Sequence, residues 1–244
     1  MSFSWIRVRA ISQKELRDYR HNRFIIYTMT FMPLIFIVLP MVQIFTIPAV
    51  VSSHKLDLRI GLSLLYMLLM PAIVPSALAA YSVVGEREQG TLEPVLITPI
   101  RREEFLLGKG LAALAPTLAI AYVIFGVFLG CAALFAKPVV ASAVFESSHL
   151  LVQLLFIPLL AGWSIWVGIA ISARSSDVRV AQQLGVFASF PPLAIVALMS
   201  LNVIKPTLAL AAGLAAGLLL IDGLGWRLVS VMFDRERLVT GARK

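Results

Sequence analysis

The sequence has one cysteine, Cys131, among its 244 residues, and only 14% of its residues are charged. A single cysteine forms no internal disulfide, and no His or Cys partner lies at metal-ligand spacing from it, so we expect a packed apolar thiol and no metal site. A soluble domain carries roughly 25% charged residues. The low charge, together with a mean hydropathy of +0.91, therefore indicates a membrane protein.

Motifs for energy conversion and catalysis are also missing. A phosphate-binding loop requires G-x-x-x-x-G-K-[ST], and the one Gly-Lys pair, Gly108 and Lys109, lacks both the preceding glycine and the following hydroxyl residue. The sequence suggests neither a Ser/His/Asp set nor paired intramembrane carboxylates. We therefore expect no catalytic residue and no cofactor in this chain, so that any ATP-driven work would need another subunit to bind the ATP.

What the sequence does contain is six apolar runs, each long enough for the roughly 20 residues that a helix needs to cross a bilayer. Because a lipid-exposed backbone must satisfy its own hydrogen bonds, we predict an all-α integral membrane protein. The predicted spans are 24–47, 60–84, 105–135, 150–171, 180–201 and 208–233. They form a single transmembrane domain, 24–233, between an N-terminal segment, 1–23, and a basic cytoplasmic tail, 234–244.

Glycine and proline predict how these spans pack. Gly126 with Gly130, and Gly213 with Gly217, form Gly-x-x-x-Gly pairs, which allow close approach of helices either within the chain or between copies. Prolines interrupt five of the six spans. We expect kinked or broken helices, with a break near residues 190–193.

The distribution of basic residues predicts the orientation. With the N-terminus inside, 17 of the 21 Lys and Arg residues fall in inner segments and four in outer loops. This bias places both termini in the cytoplasm. It also accounts for the net charge of +8 through topology and contact with anionic lipid, so the charge is no evidence for nucleic-acid binding.

Residues 1–23 have the pattern of an amphipathic helix. Trp5, Val8, Ser12, Leu16 and Tyr19 recur at helical spacing, whereas the basic side chains lie elsewhere around the helix. We predict a helix that rests in the inner membrane interface. The alternative is a simple basic anchor.

The most polar stretch of the chain, residues 85–109, lies between the second and third spans and holds nine of the 34 charged side chains. Gly90 and Pro99 isolate a short amphipathic segment, 91–97, at the membrane surface. Carboxylates beside an apolar ridge are typical of a docking surface for a partner outside the bilayer. The alternative is a solvated connector.

Asp222 is the one acidic side chain well inside a predicted span. An unpaired charge at the centre of a bilayer costs roughly 2.5 to 3.5 kcal/mol on insertion scales, so Asp222 needs a polar partner. It is either a substrate or gating contact, or a structural contact, which would be packing between helices or a pairing with Arg227 near the inner boundary.

The order of these parts resembles the permease subunit of type-2 ATP-binding-cassette (ABC) exporters. The likeness rests on ISQKELRDYRHNR at 11–23, on EREQGTLEPVLITPIRREEFLLGK at 86–109 and, more weakly, on SARSSDVRVAQQ at 172–183. The resemblance implies a short coupling helix in residues 85–104 that docks on a separate cytoplasmic ATPase. The coupling candidates that it implies are Glu86, Glu88, Gly90, Thr91, Leu92 and Glu93.

The resemblance also implies the working assembly. Two permease copies, or this chain and a paralogue, would pair with two ATPases that carry ATP and Mg in a prokaryotic cytoplasmic membrane. Few polar groups lie in the spans, so we expect a hydrophobic or amphipathic substrate such as a drug, a lipid or a lipid-linked molecule. The alternatives are a haem-export permease of the cytochrome c maturation type and a non-transporting membrane scaffold.

The charge bias gives a testable topology. In a Cys131→Ala background, single cysteines at Ser53, Ser147 and Thr207 should react with a membrane-impermeant thiol reagent added to intact cells, because these positions lie in outer loops. Cysteines at Gln89 and Ser176 serve as the inner controls and should stay unlabelled. The opposite labelling pattern would reverse the orientation.

Overall fold

The computed structural model describes residues 3–48, 52–88, 90, 100–201, 203–204 and 207–232. Within this part of the chain the regular structure is helical. The helices are α1 (Trp5–His21), α2 (Arg23–Phe45), α3 (Ser53–Glu88), α4 (Arg102–Phe135), α5 (Pro138–Val144), α6 (Ser147–Arg174), α7 (Val178–Ala188), α8 (Phe190–Ser200) and α9 (Leu208–Met232).

Six stretches are long and apolar enough to cross a membrane: Ile25–Phe45, Ser53–Glu86, Arg102–Phe135, Ser147–Arg174, Val178–Ser200 and Leu208–Val231. The predicted all-α fold with six spans is therefore confirmed. The helices continue beyond several apolar runs: α3 begins seven residues before predicted span two, because hydropathy marks the part of a helix in hydrocarbon rather than its full length. The short helix α5, which was not predicted, buries Val140 and Val144 against α2, α3 and α4.

Two helices form the centre of the bundle. In their apolar windows 67% of α3 and 56% of α6 is buried, compared with 17% for α2 and 22% each for α4 and α9. The remaining spans thus leave most of their apolar surface on the outside. A protein in lipid can present that surface to acyl chains, whereas in water it would aggregate.

Helices α3 and α6 run parallel, and polar side chains on α6 bind backbone carbonyls on α3 along the contact. The Gln153 amide donates to the Leu64 carbonyl at 2.7 Å, and the Ser164 and Ser172 hydroxyls donate to the carbonyls of Ala72 and Ala80. Ser172 Oγ also accepts a 3.0 Å bond from the backbone of Val84. Hydrogen bonds of this kind hold helices together where hydrophobicity gives little net drive.

Glycine allows the closest approach between these helices, but not at the predicted pairs. A Cβ on Gly168 of α6 would lie 2.7 Å from Ala79 Cβ and 3.1 Å from the Ser76 carbonyl oxygen of α3. By contrast, Cβ atoms added at the four glycines of the Gly-x-x-x-Gly pairs would meet no described atom within 4 Å. Those pairs therefore do not bring helices together within the described chain, which leaves the contact between copies as a prediction.

The fifth span is broken, as the prolines predicted. Helix α7 ends at Ala188 and α8 begins at Phe190, with Ser189 between them and Pro191 in the first turn of α8. Ser189 Oγ donates to the Gly185 carbonyl at 3.0 Å and lies 3.1 Å from Ser164 Oγ, while Trp163 Nε1 donates to the Ala188 carbonyl at 2.8 Å. Helix α6 thus anchors the break.

We predict that Gly168→Ala will destabilise the protein by about 1 to 3 kcal/mol, because the added methyl group overpacks the α3–α6 contact. The matched control is Gly223→Ala on α9, where an added Cβ meets nothing within 4 Å and the helix propensity of alanine should be neutral or favourable. Thermal unfolding in detergent measures both. Equal melting temperatures would contradict a tight α3–α6 contact.

Candidate functional site

Helix α1 packs along the first turns of α4. Ser12 Oγ donates to the Gly108 carbonyl at 2.9 Å, and a Cβ on Gly108 would come within 2.5 Å of Ile11 Cγ2, so glycine is what allows this contact. Of the predicted apolar face, Val8 and Tyr19 are buried, but Trp5 is 66% exposed. The buried face of α1 therefore contacts protein, and its first turn remains open to the surroundings.

Four charged side chains from three helices meet beneath α1: Lys14 and Glu15 of α1, Glu86 of α3 and Lys109 of α4. We call this set the ion cluster. Lys109 Nζ lies 2.9 Å from Glu15 Oε1 and 2.8 Å from Glu86 Oε2, and it donates to the Ser82 carbonyl at 2.7 Å. Lys14 Nζ lies 2.5 Å from Glu86 Oε1 and 3.4 Å from Glu15 Oε1. Asp18, at 3.1 Å from Lys14 Nζ, is the solvent-facing rim of the cluster.

Burial makes this arrangement unusual. Lys109 is 1% exposed, Glu15 4% and Glu86 8%. Taking an ammonium or carboxylate out of water costs several kcal/mol, and only close opposite charges and full hydrogen bonding offset that cost. Lys109 meets this condition through hydrogen bonds to Glu15 and to the Ser82 carbonyl and through its ion pair with Glu86. The cluster therefore fixes the relative positions of α1, α3 and α4.

The environment raises the pKa of both groups that α1 contributes to the ion cluster, with opposite effects on their charge. Burial raises the pKa of Glu15, although the positive charge of Lys109 acts to lower it. Burial alone would lower the pKa of Lys14, but the hydrogen bond to Glu86 and the charges of Glu15 and Glu86 raise it. Lys14 thus stays charged, and the ionised state of Glu15 depends on Lys109.

A second ion pair fixes the start of α1. Arg7 donates from Nε to Glu104 Oε2 at 2.7 Å and from Nη2 to Oε1 at 2.6 Å, which is the two-pronged geometry that guanidinium groups form with carboxylates. The same carboxylate accepts from the backbone N–H groups of Ser4 at 2.7 Å and Arg101 at 3.1 Å. Helix α1 is therefore tied to the beginning of α4 at two points.

The structure divides the predicted coupling residues into two groups. Glu86 belongs to the ion cluster, whereas Glu88 is exposed at the end of α3, where it accepts a 3.3 Å bond from the backbone of Val178 at the start of α7. Gly90 has φ +67°, a left-handed conformation that favours glycine. Thr91, Leu92 and Glu93 lie outside the described residues. The coupling role remains a prediction. The ion cluster contains residues on both sides of the proposed coupling segment, Glu86 before it and Lys109 after it.

Sequence reasoning missed Glu15, Lys109, Arg7 and Glu104. A signal for Glu15 was present: Ile11, Glu15 and Tyr19 follow one another at helical spacing, which places a carboxylate in the middle of the buried face of α1. A buried acid requires a cationic partner. The partner is Lys109, which lies 94 residues away in the sequence, so no local pattern could identify it.

Asp222 lies at the contact between α9 and α6. Its Oδ1 accepts a 2.9 Å hydrogen bond from Trp166 Nε1, and its Oδ2 is 3.2 Å from where a Cβ of Gly162 would stand. Among the ion pairs of the described residues, none joins Asp222 to Arg227. The contact fits the helix-packing interpretation, while a role in substrate binding remains a prediction.

The fold and the ion cluster define a class: a multi-pass helical membrane protein in which an N-terminal helix is bound to both helices that flank the polar stretch of the sequence between α3 and α4. The family model of the ABC-2 family transporter protein matches residues 9–232. The chain therefore belongs to this family of membrane permeases, which generally work with an ATPase partner. No curated protein matches the chain.

We predict that Lys109→Met will destabilise the protein by about 3 to 5 kcal/mol, because it leaves Glu15 and Glu86 buried without their shared cation. Thermal unfolding in detergent, and proteolytic release of α1, measure the loss. The control is Lys55→Met, at an exposed position on α3.

Adding Glu15→Gln and Glu86→Gln to Lys109→Met removes the two uncompensated buried carboxylates and should recover part of the stability lost in Lys109→Met. An unchanged melting temperature in Lys109→Met would show that the ion cluster does not hold α1.

Proposed function

We propose that this permease is the membrane subunit of an ABC exporter and that it moves a hydrophobic or amphipathic substrate out of the cytoplasm. ATP and Mg would be bound by a separate cytoplasmic ATPase. A second permease copy or a paralogue would complete a complex of two permeases and two ATPases. The membership of the chain in the ABC-2 family supports the transport role.

The ion cluster is the observation that carries the mechanism. Residues 89–101 connect Glu88, at the end of α3, with Arg102, at the start of α4. The helices on both sides are joined to α1 through Glu86 and Lys109. A force applied to this segment would therefore move the ends of α1, α3 and α4 as one body, because pulling the helices apart would leave buried charges unpaired.

Glu88 extends this connection to a fourth element. Its contact with the backbone of Val178 joins the beginning of the segment to α7, the first half of the broken fifth span. Asp177 caps the same end of α7 by accepting from the backbone of Arg179 at 2.6 Å and of Val180 at 3.1 Å. The break at Ser189 gives α7 a place to pivot relative to α8. Motion of an attached ATPase would thus reach the transmembrane helices by two routes.

The substrate class follows from the surfaces of the spans. The exposed side chains of α2, α4 and α9 are mostly large and apolar. Polar side chains described within the bundle are few, and most of them bind backbone carbonyls of their own helix or of a neighbouring one. A path through or along such helices suits molecules that partition into lipid rather than hydrophilic solutes.

We predict that Glu88→Arg and Leu92→Asp will each reduce association with the ATPase or the transport rate, while membrane levels stay normal. Reversing a charge at a docked surface costs several kcal/mol, and so does burying an unpaired carboxylate in an apolar contact. Co-purification of the ATPase and transport into vesicles measure the effect. Glu146→Arg, an exposed position near the other end of the bundle, is the matched control for Glu88→Arg.

Parental ATPase binding and transport in both variants would reduce the segment to a connector. A purified complex without a nucleotide-hydrolysing subunit would instead favour the scaffold. If hydrolysis is present, its stimulation by candidate substrates would narrow the substrate and separate drug or lipid export from haem export.

A further inference from the structure

An apolar groove of about 230 Å³ lies between α6 and α9 at the end of the bundle opposite the ion cluster. Helix α6 contributes Leu151 and Leu155, and α9 contributes Leu208 and Ala212. The three leucines are between 41% and 66% exposed, so the groove opens sideways, toward the bilayer. The side chain of Ala212 on α9 is small, so it leaves space between the two helices.

A second, smaller cavity adjoins this groove. It measures about 30 Å³ and is lined in part by Gly61 and Leu64 of α3, Gln153 of α6 and Ser200 of α8. Ser148 and Val152 line both spaces, so the two share part of their walls. The share of liquid volume of a water molecule is about 30 Å³, so the cavity has room for one small polar group.

Gln153 gives this cavity its chemistry. The side chain is 1% exposed, and its Nε2 donates to the Leu64 carbonyl at 2.7 Å. A carbonyl oxygen can only accept a hydrogen bond, so the amide nitrogen must face Leu64 and the amide oxygen must point the other way. Its Oε1 is buried and accepts no hydrogen bond from the described residues. The buried hydroxyl of Ser63, next to Leu64 in the chain, directs its one proton at Gln43 Oε1 and the Arg59 carbonyl oxygen. Gln153 Oε1 is therefore a buried acceptor that a donor would satisfy.

We propose that the two cavities bind one neutral amphiphile from the bilayer. Its terminal hydroxyl donates to Gln153 Oε1, and its single apolar chain lies in the α6–α9 groove. The groove is below the roughly 300 to 1,000 Å³ of sites for drug-sized ligands, which favours a narrow chain over a bulky ring system. Neither lining contains a carboxylate, a lysine or an arginine, and the one histidine, His149, holds its Nδ1 2.9 Å from the Ala143 carbonyl oxygen, so a charged head group finds no permanently charged counter-ion.

The proposal goes beyond export. Binding at this site needs neither ATP nor the ATPase, and the site lies at the opposite end of α6 from the ion cluster. The test below uses the purified permease alone in lipid nanodiscs, so a negative result leaves the proposed transport function untouched.

The experiment compares two photoreactive probes, a long-chain primary alcohol and its methyl ether, each with a diazirine in the chain. The alcohol has the donor that Gln153 Oε1 requires, and the ether lacks it. We expect the alcohol to label peptides of α6 and α9 about fivefold more strongly at subsaturating concentration, the ratio that one hydrogen bond of roughly 1 kcal/mol gives. Equal labelling by the two probes would overturn the proposal, and it would indicate that a water satisfies Gln153.

Three variants separate the parts of the site. Gln153→Leu should abolish the preference for the alcohol, and Ala212→Phe should block labelling by both probes because its ring fills the groove. The matched control is Ala209→Phe, an exposed alanine one helical turn earlier on α9 that lines neither cavity. If Gln153→Leu fails to fold, the two probes on the unchanged protein and the two phenylalanine variants still decide the outcome.

A second copy of the chain could cover the groove instead of lipid. In a Cys131→Ala background, a cysteine at Leu208 would then form a disulfide between copies, and neither probe would label the groove. That result, or full labelling of Ala212→Phe, would overturn the proposal.

Discussion

The buried ammonium of Lys109 is the constraint on which the rest of this end of the molecule depends. An amine without water requires an acceptor for each N–H group and negative charge nearby. The partners of Lys109 come from two distant parts of the sequence: Glu15 in α1, and Ser82 and Glu86, one turn apart near the end of α3. Satisfying one side chain therefore determines where α1 docks and how α3 and α4 approach each other. An N-terminal helix that could have been a simple membrane anchor becomes part of the permease body.

The two ends of the bundle differ in the kind of interaction that holds them. At the ion-cluster end, buried charges and the two hydrogen bonds between Arg7 and Glu104 fix the positions of the helices relative to one another. Helices fixed in this way are suited to transmit force from an external partner. Toward the opposite end, aliphatic contacts dominate, and space remains beside Gln153. Between them, α3 and α6 stay close through glycine and through hydrogen bonds to carbonyls. The bundle therefore has one end fixed by charges, one end with unfilled space, and a closely packed pair of helices between them. This arrangement suits a transporter in which motion outside the bilayer opens a path for substrate within it.

Hydropathy predicts the part of each helix that lies in hydrocarbon and does not predict how the helices pack. Hydropathy located all six spans, because a segment that crosses hydrocarbon must be composed mainly of apolar residues. It did not predict α5, whose seven residues are too few to give a periodic signal, or the extension of α3 to Ser53. The Gly-x-x-x-Gly pairs identified residues that permit close packing, yet the closest described contact of α6 with α3 uses the isolated Gly168. A glycine motif states a possibility, and the neighbouring helix decides whether it is used.

The sequence by itself determined the class of protein, the number of spans, the break near Pro191 and the position of a polar segment between spans two and three. Each of these depends on interactions within a few turns of one helix or on transfer from water to lipid, which neighbouring residues report. Only the tertiary structure decided that Glu86 faces Lys109, that Glu88 contacts α7 and that Gln153 Oε1 has no hydrogen-bond donor among the described residues. These facts join residues that lie tens of positions apart. A charge pattern shows that a buried carboxylate needs a partner, but which cation fills that need is settled by the packing of the helices.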